Sequence, residues 1–414
     1  MKKYNVIDLF SGAGGFSEGF MQTEKFQFLA HIEWESPMIE TLRNNLVNRW
    51  GYSEVEAKKS VIKFDLQKTE ELLTGSWTSE TKNEYGKDNL EELAVSGLDG
   101  IVGKRKIDVI IGGPPCQAYS IAGRAQDPNS MRDDYRNYLF ESFVKVVDHY
   151  KPKLFVFENV PGILSAKPGD KFVIDRIFEA FDEIGYEIRN SKEMKLAIYS
   201  SADFQVPQER NRVIIIGVNK KMGYNLNDFY EALDLLKSKA PKKNVRDALG
   251  NLPRYFPLDN PVKVGGKNIS HKLVDTNNYS LHEPRYHNMR DIGIFKTWIS
   301  ERMNYIPNHK KLEYYNMVIG KNSNHNKYRS LEWDKPSPTV VSHLYKDGLM
   351  FIHPDINQLR SITVREAAIL QTFPNDFEFI GSNAYCFKMI GNAVPVLFAK
   401  NIAQAIINVL EKEK

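Results

Sequence analysis

Gly112-Gly113-Pro114-Pro115-Cys116-Gln117-Ala118-Tyr119-Ser120 follows the β-rich run Ile107 to Ile111, and the rest of the chain is arranged around this junction. A run of β-formers that breaks into Gly-Gly-Pro-Pro predicts a buried strand ending in a rigid loop, because neither proline donates to a ladder and both fix φ. In open α/β sheets ligands lie outside the carboxyl ends of the strands, so a thiol presented there is a candidate nucleophile. An unpaired cysteine is equally a small buried hydrophobe, and position alone leaves both readings of Cys116 open.

Upstream stretches repeat the pattern of a strand with a chemically useful tip. Tyr4 to Phe10 is strand-like and runs into Ser11-Gly12-Ala13-Gly14-Gly15-Phe16-Ser17, where glycines let a ligand approach the backbone and leave helix N-terminal amides free. The next strand, Phe26 to Ile32, ends in Glu33-Trp34. Glu33 stands 21 positions after Gly12, placed to accept from ribose hydroxyls as in nucleotide-binding βαβ units. The spacing Gly12-x-Gly14-x-x-Ser17 lacks the third glycine of a dinucleotide fingerprint, and Trp34 offers a plate for an adenine. A nucleoside cofactor without a pyrophosphate therefore fits better than a nicotinamide dinucleotide. A helix from Pro37 to about Asn48 leads to a third strand, Val61 to Phe64. Asp65 at its end is either an acceptor for an exocyclic amine or a turn former. Residues 66–106 contain polar helix-like pieces to which no function attaches.

Downstream, Ile121 to Arg136 is polar and carries Arg124, Arg132 and Arg136, the pattern of a loop that closes on an anionic substrate or of an ordinary exposed loop. After an amphipathic helix from Tyr138 to Tyr150, the strand Lys153 to Phe157 ends in Glu158-Asn159-Val160. Walled by Phe155, Phe157 and Val160, the Glu158 carboxyl would have its ionised form disfavoured, which suits a group that holds a proton near neutrality. A helix cap or a loop salt bridge is the alternative. Gln208, Arg210 and Arg212 alternate into the strand Val213 to Gly217 and so share a face, where carboxylates or a substrate must answer two guanidiniums.

With 414 residues, 42% hydrophobic and 26% charged, the chain reads as globular with two domains rather than disordered or fibrous. No apolar run approaches bilayer-spanning length, Met1-Lys2-Lys3-Tyr4 leads into a strand pattern without a signal-peptide core, and an intracellular setting is expected. Its two cysteines, Cys116 and Cys386, suit a reducing compartment and lack metal-ligand spacing. The formal net charge of +4 is uneven: residues 219–358 hold 22 Lys+Arg against 14 Asp+Glu, hence +8, leaving −4 elsewhere. That segment also contains seven of the nine histidines and many aromatics, a mixture suited either to a polyanion and its bases or to a merely solvated basic face. Prolines at 241, 253, 257, 261, 284, 307, 336 and 338 break it, and its β-like pieces are short, such as 338–342 and 349–352, predicting an inserted, β-poor domain. Helical pattern resumes at Thr363, where Thr363 and Glu366 form a capping-box pair, and again after Gly391-Asn392-Ala393-Val394-Pro395.

In this order, Asp8-Leu-Phe-Ser-Gly-Ala-Gly-Gly-Phe16, Glu33-Trp34, Gly113-Pro-Pro-Cys-Gln117, Phe157-Glu-Asn-Val160, Gln208-x-Arg210-x-Arg212, the Thr363 helix and Gly391-Asn392-x-Val394-Pro395 resemble the DNA cytosine-5 methyltransferases, particularly the bacterial enzymes of restriction-modification systems. The match spans nearly the whole chain, and the ordered pair Pro-Cys-Gln and Glu-Asn-Val is its most specific part. Tyr119 stands where phenylalanine is usual, and residues 66–106 look long.

The resemblance implies an α/β fold: a Rossmann-like S-adenosylmethionine-dependent domain with a mostly parallel sheet (1–218 and 385–414) and a smaller, irregular, β-containing target-recognition domain (219–384). It implies methyl transfer to carbon 5 of a flipped-out cytosine in duplex DNA through a covalent Cys116 adduct, with Glu158, Arg210 and Arg212 as catalytic partners. By the same analogy Phe10, Gly12, Gly14, Glu33, Trp34, Asp65, Leu66, Gly113, Pro115, Leu139, Asn392 and Val394 surround the cofactor, while Gln117, Ser120, Arg124, Gln208, Thr339 and Val340 meet DNA. No metal and no membrane enter this reading. A monomer in the bacterial cytoplasm, beside a separate restriction endonuclease, completes it.

Three alternatives have different signatures. A transfer-RNA cytosine methyltransferase shares the chemistry but does not call for the large basic insert. A nicotinamide-dependent oxidoreductase leaves Cys116, Glu158 and the arginine pair unexplained. A catalytically silent DNA-binding regulator has no need of a complete catalytic set.

Overall fold

The computed structural model describes residues 3–115, 139–276, 279–320 and 322–412. Cys116, Gln117, Ser120 and Arg124, with Arg132 and Arg136, lie outside the described residues. An eight-stranded sheet forms the centre, built from β1 (Tyr4–Leu9), β2 (Phe26–Glu33), β3 (Val61–Lys63), β4 (Val109–Gly112), β5 (Leu154–Asn159), β6 (Tyr186–Ile188), β7 (Ile198–Ser200) and, after the two-residue β8 (Gln208–Glu209), β9 (Asn211–Asn219). The order is β3-β2-β1-β4-β5-β9-β6, with β7 also paired to β9. Strands β1 to β5 pair in parallel, and β9 runs antiparallel to β5, β6 and β7. Every residue of β4 and β5 is buried, the near-continuous apolar pattern of strands covered on both faces.

Strand order reverses between β1 and β4, which makes a topological switch point. Leu9 pairs with Gly112 and Gly112 with Phe157, so the tips of β1, β4 and β5 open side by side. Helices cover the sheet, among them Gly15–Met21, Ser36–Trp50, Leu139–Tyr150, Val173–Glu183 and the C-terminal Val396–Glu411. Residues Asn383–Glu411 are apolar enough to cross a membrane by length and composition, contrary to the expectation that no such run exists. They form two helices, Asn383–Asn392 and Val396–Glu411, and pack inside the protein. Residues 66–106 hold three helices, Thr69–Thr74, Ser79–Tyr85 and Glu91–Val102, which enclose a cluster of Phe64, Trp77 and Tyr85.

The boundary read at residue 219 falls before the packing changes. Helix Leu226–Leu235 sends Phe229, Tyr230 and Leu233 into the core of the large sheet and touches the C-terminal helix. Beyond it a second core gathers Val245, Leu331, Val340, Phe351, Val364 and Phe387 with Ala13 and Met38, and a third surrounds Trp298 and Tyr328. The segment is richer in strand than its prolines suggested. Strands β10 (Tyr255–Val264) and β11 (Lys267–Leu273) form a hairpin around Gly265-Gly266, both at positive φ (55° and 83°), as a type I′ turn requires. A register shift between Pro257 and Val262 absorbs Pro261, which is how a strand survives that sequence. The pieces expected at 338–342 and 349–352 shrink to β12 (Ser337–Pro338), parallel to β8, and to isolated bridges at Ile352.

Thr363 caps helix Val364–Leu370 as its sequence predicts: its Oγ1 accepts from the Glu366 amide, and Glu366 Oε2 accepts from the Thr363 amide at 2.7 Å. The same carboxylate takes both terminal nitrogens of Arg360 at 2.7 Å, and neither side chain is exposed. Around this pair lie His271, His282, His287 and His353, all buried. His282 bridges Thr363 Oγ1 and the Pro253 carbonyl, His271 meets the Gln358 carbonyl, and His287 meets Ser361. Burial pushes His353 down to about 3, with the adjacent Arg360 charge acting the same way. Burial likewise lowers His271 to about 4 and His287 to about 2.

Candidate active site

Two groups of side chains converge on the switch point. At the tip of β1, Phe10, Gly12 and Gly14 take positive φ values of 59°, 56° and 88°, and Gly14 caps the helix Gly15–Met21. Phe10 is strained where its neighbours are glycines, in a conformation that turns the chain sharply out of the sheet. At the tip of β2, Glu33 is buried and its carboxylate accepts three backbone amides: Gly12 on Oε2 at 2.8 Å, and Trp34 (2.8 Å) and Glu35 (3.0 Å) on Oε1. Burial raises its pKa, the three amides acting in the opposite direction. Beside it the Trp34 indole is 53% exposed.

Asp65 caps the short turn Leu66–Lys68 and accepts from the Gln67 amide at 2.9 Å, while Leu66 is buried. Leu139 opens its helix as a buried residue, and Pro115 is half-buried at the last described position of the β4 loop. Asn392 ends its helix, exposed, and Val394 is buried. Lys388, one turn earlier, grips both oxygens of Glu35 (2.6 and 2.8 Å) and so ties this helix to the tip of β2.

The second group stands at β4, β5 and β9. Glu158 Oε1 lies 2.6 Å from Arg212 Nε, a buried ion pair without aligned hydrogen-bond geometry. Arg212 Nη1 also donates to the Asn211 carbonyl at 2.7 Å. Gly113 faces the same carboxylate: a Cβ there would come within 2.9 Å of Glu158 Oε2. Asn159 Nδ2 donates to the Pro114 carbonyl at 3.3 Å and fastens the start of the Pro-Pro-Cys turn to the end of β5. Sequence reasoning assigns Asn159 no role; its place directly after a strand-end acid is the available signal.

Two expectations need correction. Phe155 and Phe157 do not wall Glu158, because successive strand residues point to opposite faces. Phe155 stacks on Phe181 at 4.1 Å and Phe157 meets Phe143, whereas Glu158 faces Arg212. Gln208, Arg210 and Arg212 do share one buried face, but they diverge in function. Arg210 donates to the carbonyls of Val340 (3.0 Å) and Gly391 (3.1 Å), well away in sequence from the acid that Arg212 meets. Gln208, grouped by resemblance with the DNA-contacting residues, is wholly buried; its amide bonds Gln371 and Leu370 and accepts the Val340 amide. Val340 is buried too, while Thr339 is half-buried with its hydroxyl on the Glu209 carbonyl. Among the described residues no cluster of three or more His, Cys, Asp or Glu is spaced to hold a metal ion.

A Rossmann-like sheet with glycines at the first turn, an acid at the second strand's tip and an acid-arginine pair at the fifth is the kind of frame on which nucleoside-cofactor enzymes are built. The family described as C-5 cytosine-specific DNA methylase matches residues 4–77 and 86–408, and the chain belongs to it. It is similar to the type II methyltransferase M.Bpa9945I of Bacillus paralicheniformis, 34% identical with 98% of this chain and 99% of that one covered. It is also similar to the type II methyltransferase M1.HphI of Haemophilus parahaemolyticus, 31% identical over 98% of this chain and 87% of that one. A solved E. coli structure described as a prophage-encoded DNA modification methyltransferase shares the fold (TM-score 0.59, 23% identity, 99% and 100% covered). The protein is a DNA (cytosine-5)-methyltransferase of the type II class, and S-adenosylmethionine is its methyl donor.

Proposed function

We propose that this enzyme methylates a flipped-out cytosine in duplex DNA through a covalent adduct with Cys116, protecting host DNA beside a separate restriction endonuclease. The observation that carries the reading is the Glu158–Arg212 pair, seated at the carboxyl end of β5 against Gly113, three residues before Cys116. Carbon 5 of cytosine is a poor nucleophile. Addition of the Cys116 thiolate to carbon 6 moves electron density onto carbon 5, which then attacks an electrophilic methyl. Glu158 shares a proton with ring N3, so that the ring is protonated as it gains that density, and accepts from the exocyclic amine, while Arg212 keeps the carboxylate in place and reaches the O2 side of the base. Loss of the carbon 5 proton expels Cys116 and restores the ring. A base inside a duplex cannot reach such a site, hence flipping; methyltransferases are among the general examples of that behaviour.

The cofactor's seat is supported by the fit of the first group. The exposed Trp34 face suits an adenine, and the two Glu33 oxygens retain acceptor capacity beyond three amides for a ribose hydroxyl. Bound there, S-adenosylmethionine supplies the methyl as an electrophile. In this reading residues 1–218, the helix Leu226–Leu235 and residues 385–414 make the catalytic domain, and most of 219–384 reads DNA. Arg210 and Gln208 act at a distance from the base. The enzyme works as a monomer in the cytoplasm.

Bisulfite sequencing of plasmid DNA from cells expressing the wild type and Cys116→Ala tests this. Protected cytosines in one short sequence context, absent from the mutant, are expected; the same marks in the mutant would remove Cys116 from the mechanism. The DNA-facing segment has its own test. Lys263, Lys267 and Lys272 are exposed on the β10–β11 hairpin, and neutralising each lysine that binds a phosphate should reduce the slope of log affinity against log salt by about 0.9. An unchanged slope in the triple Lys→Gln variant would take the hairpin off the DNA.

A further inference from the structure

Gln208 and Arg210 close on a single residue from two sides. The Val340 amide donates to Gln208 Oε1 at 2.8 Å, and the Val340 carbonyl accepts from Arg210 Nη1 at 3.0 Å. The far ends of both side chains reach the segment that carries Asn392 and Val394. Arg210 Nη2 donates to the Gly391 carbonyl at 3.1 Å. Gln208 Nε2 donates to Gln371 Oε1 at 2.9 Å, and Gln371 Nε2 in turn donates to the carbonyls of Ile390 (2.7 Å) and Ala393 (3.3 Å). Gln208, Gln371 and Arg210 are all buried, so these bonds do not compete with water.

Backbone packing joins the same two segments a second time. Gly391 sits so closely on the Val341–Ser342 peptide that a Cβ there would fall 2.3 Å from Ser342 N. The strand beside Thr339–Val340 and the turn beside Asn392–Val394 are thus pressed together by their backbones and laced by one guanidinium and two amides. A shift of either segment pulls on the other. Arg210 suits the role because a planar guanidinium presents donors on two edges at fixed geometry, where a lysine ammonium offers one point.

We propose that Gln208 and Arg210 are positioning residues that couple cofactor binding to DNA binding. The proposal rests on the reading that Thr339–Val340 borders the DNA and Asn392–Val394 the cofactor. A ligand that draws one segment into its bound position carries the other with it through this clamp of bonds, so the second ligand meets a segment already in place and binds more tightly; by linkage the factor is the same in both directions. Arg210 therefore acts on the reaction through Val340 and Gly391, while Arg212 touches Glu158 itself.

The test is calorimetric titration of S-adenosylhomocysteine into wild type, Arg210→Lys and Gln208→Met, each alone and with a saturating duplex carrying the site mapped by bisulfite sequencing. Wild type should bind S-adenosylhomocysteine more tightly with duplex present, by a factor within the usual range of about 5 to 150. Both variants should keep their affinity for each ligand alone, with a melting temperature lowered only as the lost buried bonds require, while that factor falls below about 2. An unchanged factor in the variants, or none in wild type, overturns the proposal. So does loss of melting temperature together with both affinities, which would make the pair a part of the fold only. Glu33→Gln separates the two readings: if it leaves S-adenosylhomocysteine binding untouched, the cofactor seat is wrong and the clamp falls with it. If it weakens binding while coupling survives in Arg210→Lys, the clamp alone is wrong.

Discussion

Glu158→Gln is expected to slow single-turnover methyl transfer by about 10²–10⁴-fold, the usual contribution of a positioned acid-base group, with duplex affinity largely kept. Glutamine has the same shape but neither carries the charge that faces Arg212 nor shares a proton with ring N3. It fits the same space beside Gly113, where a side chain on residue 113 would not. The measurement is transfer of labelled methyl to duplex DNA with enzyme in excess, which isolates chemistry from product release. An unaltered rate would mean that the ion pair at the end of β5 is structural and that the ring is stabilised by other groups.

The second large effect concerns acid. In the folded protein His271, His287 and His353 are held neutral to about pH 4, 2 and 3, against an ordinary value of 6.5 once unfolded. Below 6.5 the unfolded chain binds protons that the folded chain refuses, so stability is full above that pH and falls as pH drops toward the folded values. Each histidine contributes a slope of up to about 1.4 kcal/mol per pH unit in this window. All three act in the same direction over the same pH range, so the decline is steeper than a single buried histidine would give. Glu366, held well below the usual carboxylate range by Arg360, adds its own loss once pH falls below the ordinary carboxylate value of 4.5. Urea unfolding followed from pH 7.5 to 4.5 should therefore show a steep decline beginning near 6.5. A flat profile to pH 5 would show that these imidazoles take up protons in place.

Much of the catalytic end was legible because local rules and the global fold agree there. β-branched runs ending in Gly-Gly-Pro-Pro, Glu33-Trp34 or Glu158-Asn159 mark strand tips, and Thr363-x-x-Glu366 marks a helix start. The structure keeps Glu158 and Arg212 together, but only strand pairing between β5 and β9 could reveal that they are partners. What remained hidden depends on distant contacts. Arg210 and Arg212 look equivalent in sequence, yet one ends on carbonyls at residues 340 and 391 and the other on a carboxylate. In the basic segment the sequence likewise leaves open which residues face outward. Its histidines and aromatics suggested a polyanion-binding surface, but four of the histidines, with Trp298 and Tyr328, are interior. Composition counts residues without saying which side of the surface they occupy, and paired buried polar groups are the case where the two differ most.

The packing of the chain's first helix on its last carries a consequence for synthesis. Helix Gly15–Met21 lies against Val396–Glu411 so tightly that a Cβ on Gly19 would come within 2.5 Å of the Val396 carbonyl. The glycine turn at the tip of β1 is thus anchored by a helix that lies far along the chain from it. Until that helix is made, the apolar faces of Gly15–Met21 and Leu226–Leu235 lack the partner they pack against, and transiently exposed apolar surface of this kind is prone to aggregation. A product cut ahead of Val396 lacks the contact that seats the glycine turn, and loses the site rather than a margin of activity.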